Sequence, residues 1–261
     1  EALELAMEYP IGQPTIEIRL LGLAQKDPGA EILEKLPVVD EFGQWRPVDW
    51  PGKIRTLEQL QSEWSAEDQH LASGATNHTR YGGYPNTQAR ATGFFRVEAI
   101  DGRWWFVDPE GHLFLSTGVN GTGPYSPTRT TGRESYYTVI PPDETGRGAS
   151  FYTMNLRRRY GEDWQAAWAT QTLRRMEAWG LNTIYAWERM LLRAEPRKPY
   201  VMTVRGWQTG PAFLGMPDVY ADEFVRHADE VAARECAPYR DDPYLLGYFV
   251  GNEPPWPDRE P

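Results

Sequence analysis

From Leu113 onward, short apolar stretches alternate with longer amphipathic ones, and that alternation limits the folds open to this chain more than any other feature. The runs LFLSTGVN (ending at Asn120), LNTIYAW (ending at Trp187), YVMTVRG and YLLGYFV each read as a short apolar strand covered by amphipathic helices. The stretch DWQAAWATQTLRRMEAWG sets Trp164, Trp168, Met176 and Trp179 near one helical face and places Gly180 as a C-terminal stop. The stretch DEFVRHADEVAARECAPY predicts a second helix, with Phe224, Ala228, Val231 and Ala232 inward and Pro238 ending it. Short apolar strands joined through helices imply parallel pairing and an α/β fold. Two architectures satisfy this pattern, a (β/α)8 barrel and an open doubly wound sheet. Long loops after the strands, polar or aromatic residues at strand ends and the lack of a glycine-rich phosphate turn favour the TIM barrel. Four strands would supply its first half, about four βα units.

The residues before Leu113 are organised differently. In TIEIRLLGLA, Ile16, Ile18 and Leu20 alternate with Glu17 and Arg19, the period of a half-buried strand. Residues 1–25 are therefore expected to close an N-terminal β-sandwich, and 26–93 to connect it to the barrel portion, 94–261. Within the connection a helix is expected from Thr56, on Leu57, Leu60 and Trp64, followed by an ordered, tyrosine-bearing loop through RYGGY. Two hairpins follow, turning at Asp101-Gly102 and at Pro109-Glu110-Gly111.

Composition narrows the chemistry. The chain has 27 Lys plus Arg against 37 Asp plus Glu, a formal charge of -10, which argues against nucleic acid as a partner. Its longest apolar runs fall far short of the ~20 residues a membrane helix needs, and the acidic N-terminus does not read as a signal peptide. A single cysteine, Cys236, excludes an intrachain disulfide and reads as a buried structural thiol. The histidines at 70, 78, 112 and 227 lack metal-ligand spacing, so neither a metal nor another cofactor is expected. Ser116 does not lie in a nucleophile elbow, and GTG at 121–123 lacks the Lys and Ser/Thr of a phosphate loop. The 11 Trp, 14 Tyr and 9 Phe provide core, and also flat faces of the kind that pack against sugar rings.

The most suggestive chemistry is at the end of the last strand, where YLLGYFV runs into Gly251, Asn252 and Glu253. A carboxyl group set among Phe249, Val250 and Trp256 would resist ionisation and could serve as a proton donor near neutral pH. The amide of Asn252 could bond a sugar 2-hydroxyl in an oxocarbenium-like transition state. Asn-Glu-Pro-Pro is also good turn chemistry, and the pair alone does not separate the two readings.

Taken together, VVDEFGQWRPVDWPGK, RYGG, ATGFFRVEAIDGRWWFVDPEGHLFLSTGVN, WGLNTI and DDPYLLGYFVGNEPPW resemble landmarks of the clan A glycoside hydrolases, most closely the β-agarase-like enzymes of family 50. The resemblance covers most of the chain. It implies a (β/α)8 barrel, often preceded by a β-sandwich, that cleaves β-galactosidic bonds in a galactan-type polysaccharide with retention. It also implies that Glu253 is the general acid/base and Asn252 its substrate-binding neighbour. Asn120, Trp187 and Trp256 are the other candidates for sugar contact, and the parent enzyme is expected to be secreted or periplasmic. A retaining enzyme needs a second carboxylate as nucleophile. In this clan it lies on the seventh strand, so it is expected outside these 261 residues and the chain alone is expected to be inactive. The alternative is a non-catalytic glycan-binding module or inactive fragment. Oligomeric state and exact linkage stay open.

Overall fold

The computed structural model describes residues 36–73, 77–185, 189–192, 194–209, 212–213 and 216–252. The expected strand at TIEIRLLGLA, and with it the sandwich at 1–25, lies outside the described residues.

The described chain begins in a compact turn held by two side chains. The Asp40 carboxylate accepts from the Phe42 and Gln44 amides, both at 2.9 Å. Lys53 is buried, and its Nζ donates to the carbonyls of Trp45, Arg46 and Val48 at 2.8, 3.1 and 2.7 Å. Helix α1, Leu57–Ser73, starts where its sequence places it. Thr56 Oγ1 accepts from the Gln59 amide at 3.2 Å while Gln59 Oε1 accepts from the Arg55 amide at 3.0 Å, a reciprocal cap.

Strands β1 (Arg96–Ile100), β2 (Arg103–Val107) and β3 (Leu113–Phe114) form an antiparallel sheet. Asp101 and Gly102 make the first turn with φ of 51° and 74°, the paired positive angles that a two-residue hairpin requires. The second turn is built around Asp108, fully buried, whose carboxylate accepts from the Glu110 and His112 amides at 2.9 and 2.8 Å and from Thr79 Oγ1 at 2.9 Å.

The run LFLSTGVN, expected as one strand, divides between two sheets. Leu113 and Phe114 pair with β2, and the chain then turns through Leu115–Thr117 before β4, Gly118–Val119. The cause is a contact from a distant segment: the buried Asn182 side chain donates to the Leu115 carbonyl at 3.0 Å and accepts from the Thr117 amide at 2.9 Å, capturing backbone that a continuous ladder would need. At Gly118 a Cβ would lie 2.3 Å from the Thr183 carbonyl oxygen, so the close approach of the neighbouring strand requires glycine.

Two helices follow, α2 at Phe151–Tyr160 and α3 at Trp164–Ala178. The first has no counterpart in the hydrophobic periodicity, because only Thr153 and Leu156 are buried on it and its last turn carries three arginines, Arg157, Arg158 and Arg159. Ser150 begins it, its hydroxyl accepting from the Thr153 amide at 3.1 Å. Then come β5 (Thr183–Ile184), β6 (Tyr200–Thr203), the short pair β7 (Ala212–Phe213) and β8 (Met216–Pro217), α4 (Asp222–Val231) and β9 (Leu245–Phe249). Past α4 the chain continues helically through a π turn at Ala232–Cys236 and a 3-10 turn at Ala237–Tyr239. Ala232 is exposed rather than inward, and Cys236 is only half-buried.

Strands β4, β5, β6 and β9 make a four-stranded sheet in that order, every neighbouring pair parallel. Order in the sheet thus follows order in the chain, with no reversal. Ile184, Tyr200 and Met202 face Trp164, Trp168, Leu173 and Met176 in one buried cluster between sheet and helix. Trp179, expected on the same helical face, is 62% exposed at the helix end. Helix α1 is fastened to this layer by charge: Arg159 reaches Glu67 and Asp68, each at 2.7 Å, and Arg175 reaches Glu67 at 2.6 Å.

Candidate active site at one end of the parallel sheet

Because the four strands run in parallel, their C-terminal ends open on one side of the sheet. Asn120 follows β4 directly and is exposed there. Asn252 stands three residues past β9 and is exposed at the same end. Strands β5 and β6 lie between them, so the two asparagines are separated by three strand spacings, about 14 Å along a flat sheet and less if it curls. Glu253, Trp187 and Trp256 lie outside the described residues.

The backbone that presents Asn252 has a specific shape. Gly251 has φ of 90°, and a Cβ on it would sit 3.3 Å from the Trp207 ring. The indole of Trp207, half-buried in the loop after β6, thus backs the turn that leads into Asn252 and Glu253. The sequence reading passed over Trp207. Its signal was position, four residues beyond the end of a parallel strand, where barrel and open-sheet enzymes alike collect binding residues. Phe249 and Val250, which the sequence sets around Glu253, are themselves exposed.

On the sheet face away from the helices a polar group is assembled. Ser116 Oγ lies 2.9 Å from Thr183 Oγ1 and 3.4 Å from the Tyr185 hydroxyl, and the Tyr185 ring is 6.4 Å from that of Phe249. Behind this face, Asn182 joins three segments. Besides Leu115 and Thr117 it bonds the Gly82 carbonyl at 3.0 Å, which ties RYGG and WGLNTI to the start of the sheet. A Cβ on Gly82, which has φ of 79°, would approach the Asn182 Cβ to 2.8 Å. Gly83 is equally confined, because a Cβ there would meet the Asp108 carboxylate at 2.6 Å. Asn182 and Asp108 are buried positions whose roles the sequence motifs did not disclose.

At the opposite end of the sheet, Asp242 accepts from Arg197 at 2.6 Å and from the Tyr200 hydroxyl at 2.9 Å. Burial works against the Asp242 carboxylate, but its hydrogen bonds from the Tyr244 amide, Arg197 and Tyr200 prevail and hold it below the ordinary aspartate range. Burial also pushes the Tyr200 phenol up, with Asp242 adding to the effect. These groups are locked into structural pairing. Among the described residues, no cluster of three His, Cys, Asp or Glu side chains could hold a metal ion, and no helix is long and apolar enough to cross a membrane.

The fold and this sheet end define an α/β protein that gathers polar and aromatic side chains where its parallel strands terminate. Its relatives are agarases. The chain is 28% identical over 272 residues to Beta-agarase B and 29% identical over 264 residues to Beta-agarase A, both from Vibrio sp. (strain JT0107), each alignment taking in 84% of this chain. It spans only 28% and 26% of those two proteins. Among solved structures it resembles the agarase AgWH50C, with a TM-score of 0.75 and 27% identity over 84% of this chain and 38% of that one. It also resembles PfGH50B, with a TM-score of 0.74 and 26% identity over 88% of this chain and 40% of that one. No family model matches. The chain therefore resembles β-agarases of glycoside hydrolase family 50 in both sequence and fold.

Proposed function

We propose that this chain is the first part of the catalytic unit of a retaining glycoside hydrolase that cleaves β-galactosidic bonds in agarose or a closely related galactan. The observation that carries this reading is the likeness to β-agarases, in sequence and in fold, over 84% of this chain. Sequential parallel order supports a (β/α)8 barrel over a doubly wound sheet, whose order reverses at its switch point. In that barrel, assigned to 94–261 with 26–93 as connection and 1–25 as the end of a sandwich, β4, β5, β6 and β9 are the first four strands. The hairpin sheet β1–β3 then stands as a separate antiparallel layer before them.

Glu253 is assigned as acid/base. It protonates the leaving glycosidic oxygen and then removes a proton from the attacking water, as a retaining mechanism requires. Asn252 bonds the sugar beside it, Asn120 bonds a sugar from the first strand end, and Trp187 and Trp256 supply ring faces. The nucleophile is assigned to sequence outside these 261 residues, ~5 Å from Glu253 in the assembled site. The natural compartment is proposed to be extracellular or periplasmic, where a polysaccharide is met. Incubation of the full-length enzyme, this chain together with the segment assigned to carry the nucleophile, with agarose and a panel of other galactans, followed by anomeric NMR of the first product, tests the reading. Release of β-configured ends from agarose supports it; no cleavage of any galactan, or an inverted first product, overturns it.

A further inference from the structure

The loop after β4 holds a cavity of about 510 Å³ that the reaction above does not use. It is a built feature. Thr128 and Ala149 close its neck by exchanging both backbone hydrogen bonds, at 2.8 and 3.0 Å. Inside the loop the Asp143 carboxylate accepts from the amides of Thr145, Arg147 and Gly148 at 3.1, 3.2 and 2.9 Å, which fixes the turn carrying Arg147. Ala149 and Ser150 are buried, and Ser150 starts α2, so the loop is anchored on the helical layer.

Three arginines line the cavity, Arg129, Arg133 and Arg147, with Asp143 as its only carboxylate among the described residues. The Asp143 oxygens are already engaged by three amides. Among the described residues none of the three guanidinium groups lies within ion-pair distance of a carboxylate, whereas Arg157, Arg158, Arg159 and Arg175 nearby in sequence all do. The three are exposed and lie together around one cavity, a local concentration of positive charge in a chain of net charge -10. Guanidinium forks match the paired oxygens of a carboxylate or sulfate. The loop leaves the same end of the sheet as Asn252, the end at which a galactan is proposed to bind.

We infer that this cavity is an anion subsite that receives a sulfate-ester or carboxylate substituent on the galactan, so that the protein prefers a charged polysaccharide to a neutral one. The inference rests on the proposed galactan hydrolase reading. Titration calorimetry of the protein with a neutral agaro-oligosaccharide, its O-sulfated counterpart and a carboxylate-bearing counterpart tests it. The expected result is binding of at least one charged sugar about tenfold tighter than the neutral one at low salt, with the advantage shrinking as salt rises. Comparison of the two charged sugars identifies the substituent. Arg129→Gln and Arg147→Gln should each reduce that advantage and leave neutral binding unchanged, while Arg147→Lys should keep part of it. Equal affinity for neutral and charged sugars, or an advantage that survives both glutamine variants, overturns the subsite and leaves the hydrolase reading standing. Failure of every sugar to bind overturns both.

Discussion

Asn182 is the residue through which the sheet is tied to the loops beneath it, and removing its side chain should cost the protein a large part of its stability. Asn182 is 3% exposed. Its amide nitrogen supplies the Gly82 and Leu115 carbonyls, and its oxygen accepts from the Thr117 amide at 2.9 Å and from Thr183 Oγ1 at 2.9 Å. In Asn182→Ala, three backbone groups lose the side-chain partner that satisfies them. At about 1 kcal/mol for each, near the low end for an unsatisfied buried group, the loss is about 3 kcal/mol. For a domain of this size that is roughly 6–12 °C in Tm. Denaturant titration at constant protein concentration, followed by tryptophan fluorescence, measures it. A variant within about 0.5 kcal/mol of the parent would refute the reasoning, because a surface substitution has effects of that size. A double-mutant cycle with Gly82→Ala adds a second check, since the two sites are in contact and should be coupled rather than additive.

Lys53→Met should cost about 2–3 kcal/mol, because three carbonyls lose a charged donor in a buried turn; urea midpoints check this, and an unchanged midpoint contradicts it. Glu67→Gln should weaken the attachment of α1 in a pH-dependent way. Burial raises the Glu67 carboxyl, yet hydrogen bonds from Arg175 and Arg159 bring it down from 4.5 to about 2. Its stabilisation is therefore complete above pH 4.5 and lost as pH falls toward about 2, so the stability gap between parent and variant should close across that window. A gap that stays constant from neutral to acid pH would count against the assignment. Gly251→Ala places a Cβ at positive φ and 3.3 Å from Trp207, so the turn into Asn252 must shift. In the full-length enzyme, turnover should fall at least about tenfold while Tm changes by only a few degrees; full activity would show that the turn does not position the site.

Much of the architecture was legible because its signals are local. The Asp101-Gly102 turn, the helix start at Thr56 and the inward face of α3 at Trp164, Trp168 and Met176 each depend on residues close together in sequence. What was hidden depends on contacts between distant segments. The division of LFLSTGVN follows from Asn182, which lies 67 residues beyond Leu115, and periodicity carries no trace of such a bond. Helix α2 was missed because its polar face, with the arginines that clasp Glu41, Glu67 and Glu144, dominates its composition. Strand-end position is legible in the sequence, and the structure has Asn120 and Asn252 exposed at one end of the sheet. Trp207 escaped because its importance lies in packing under Gly251, a residue 44 positions away, which only the assembled sheet brings near.

The central claim is that the strand end after β9 delivers the acid/base of a glycosidase. Steady-state turnover of agarose by the full-length enzyme carrying Glu253→Gln, set beside the unsubstituted full-length enzyme across a range of pH, tests it most directly. The account predicts a loss of turnover of about 100-fold or more in a variant that melts like the parent, together with disappearance of the limb of the pH profile that reports the proton donor. Unaltered turnover with an unaltered profile would contradict it.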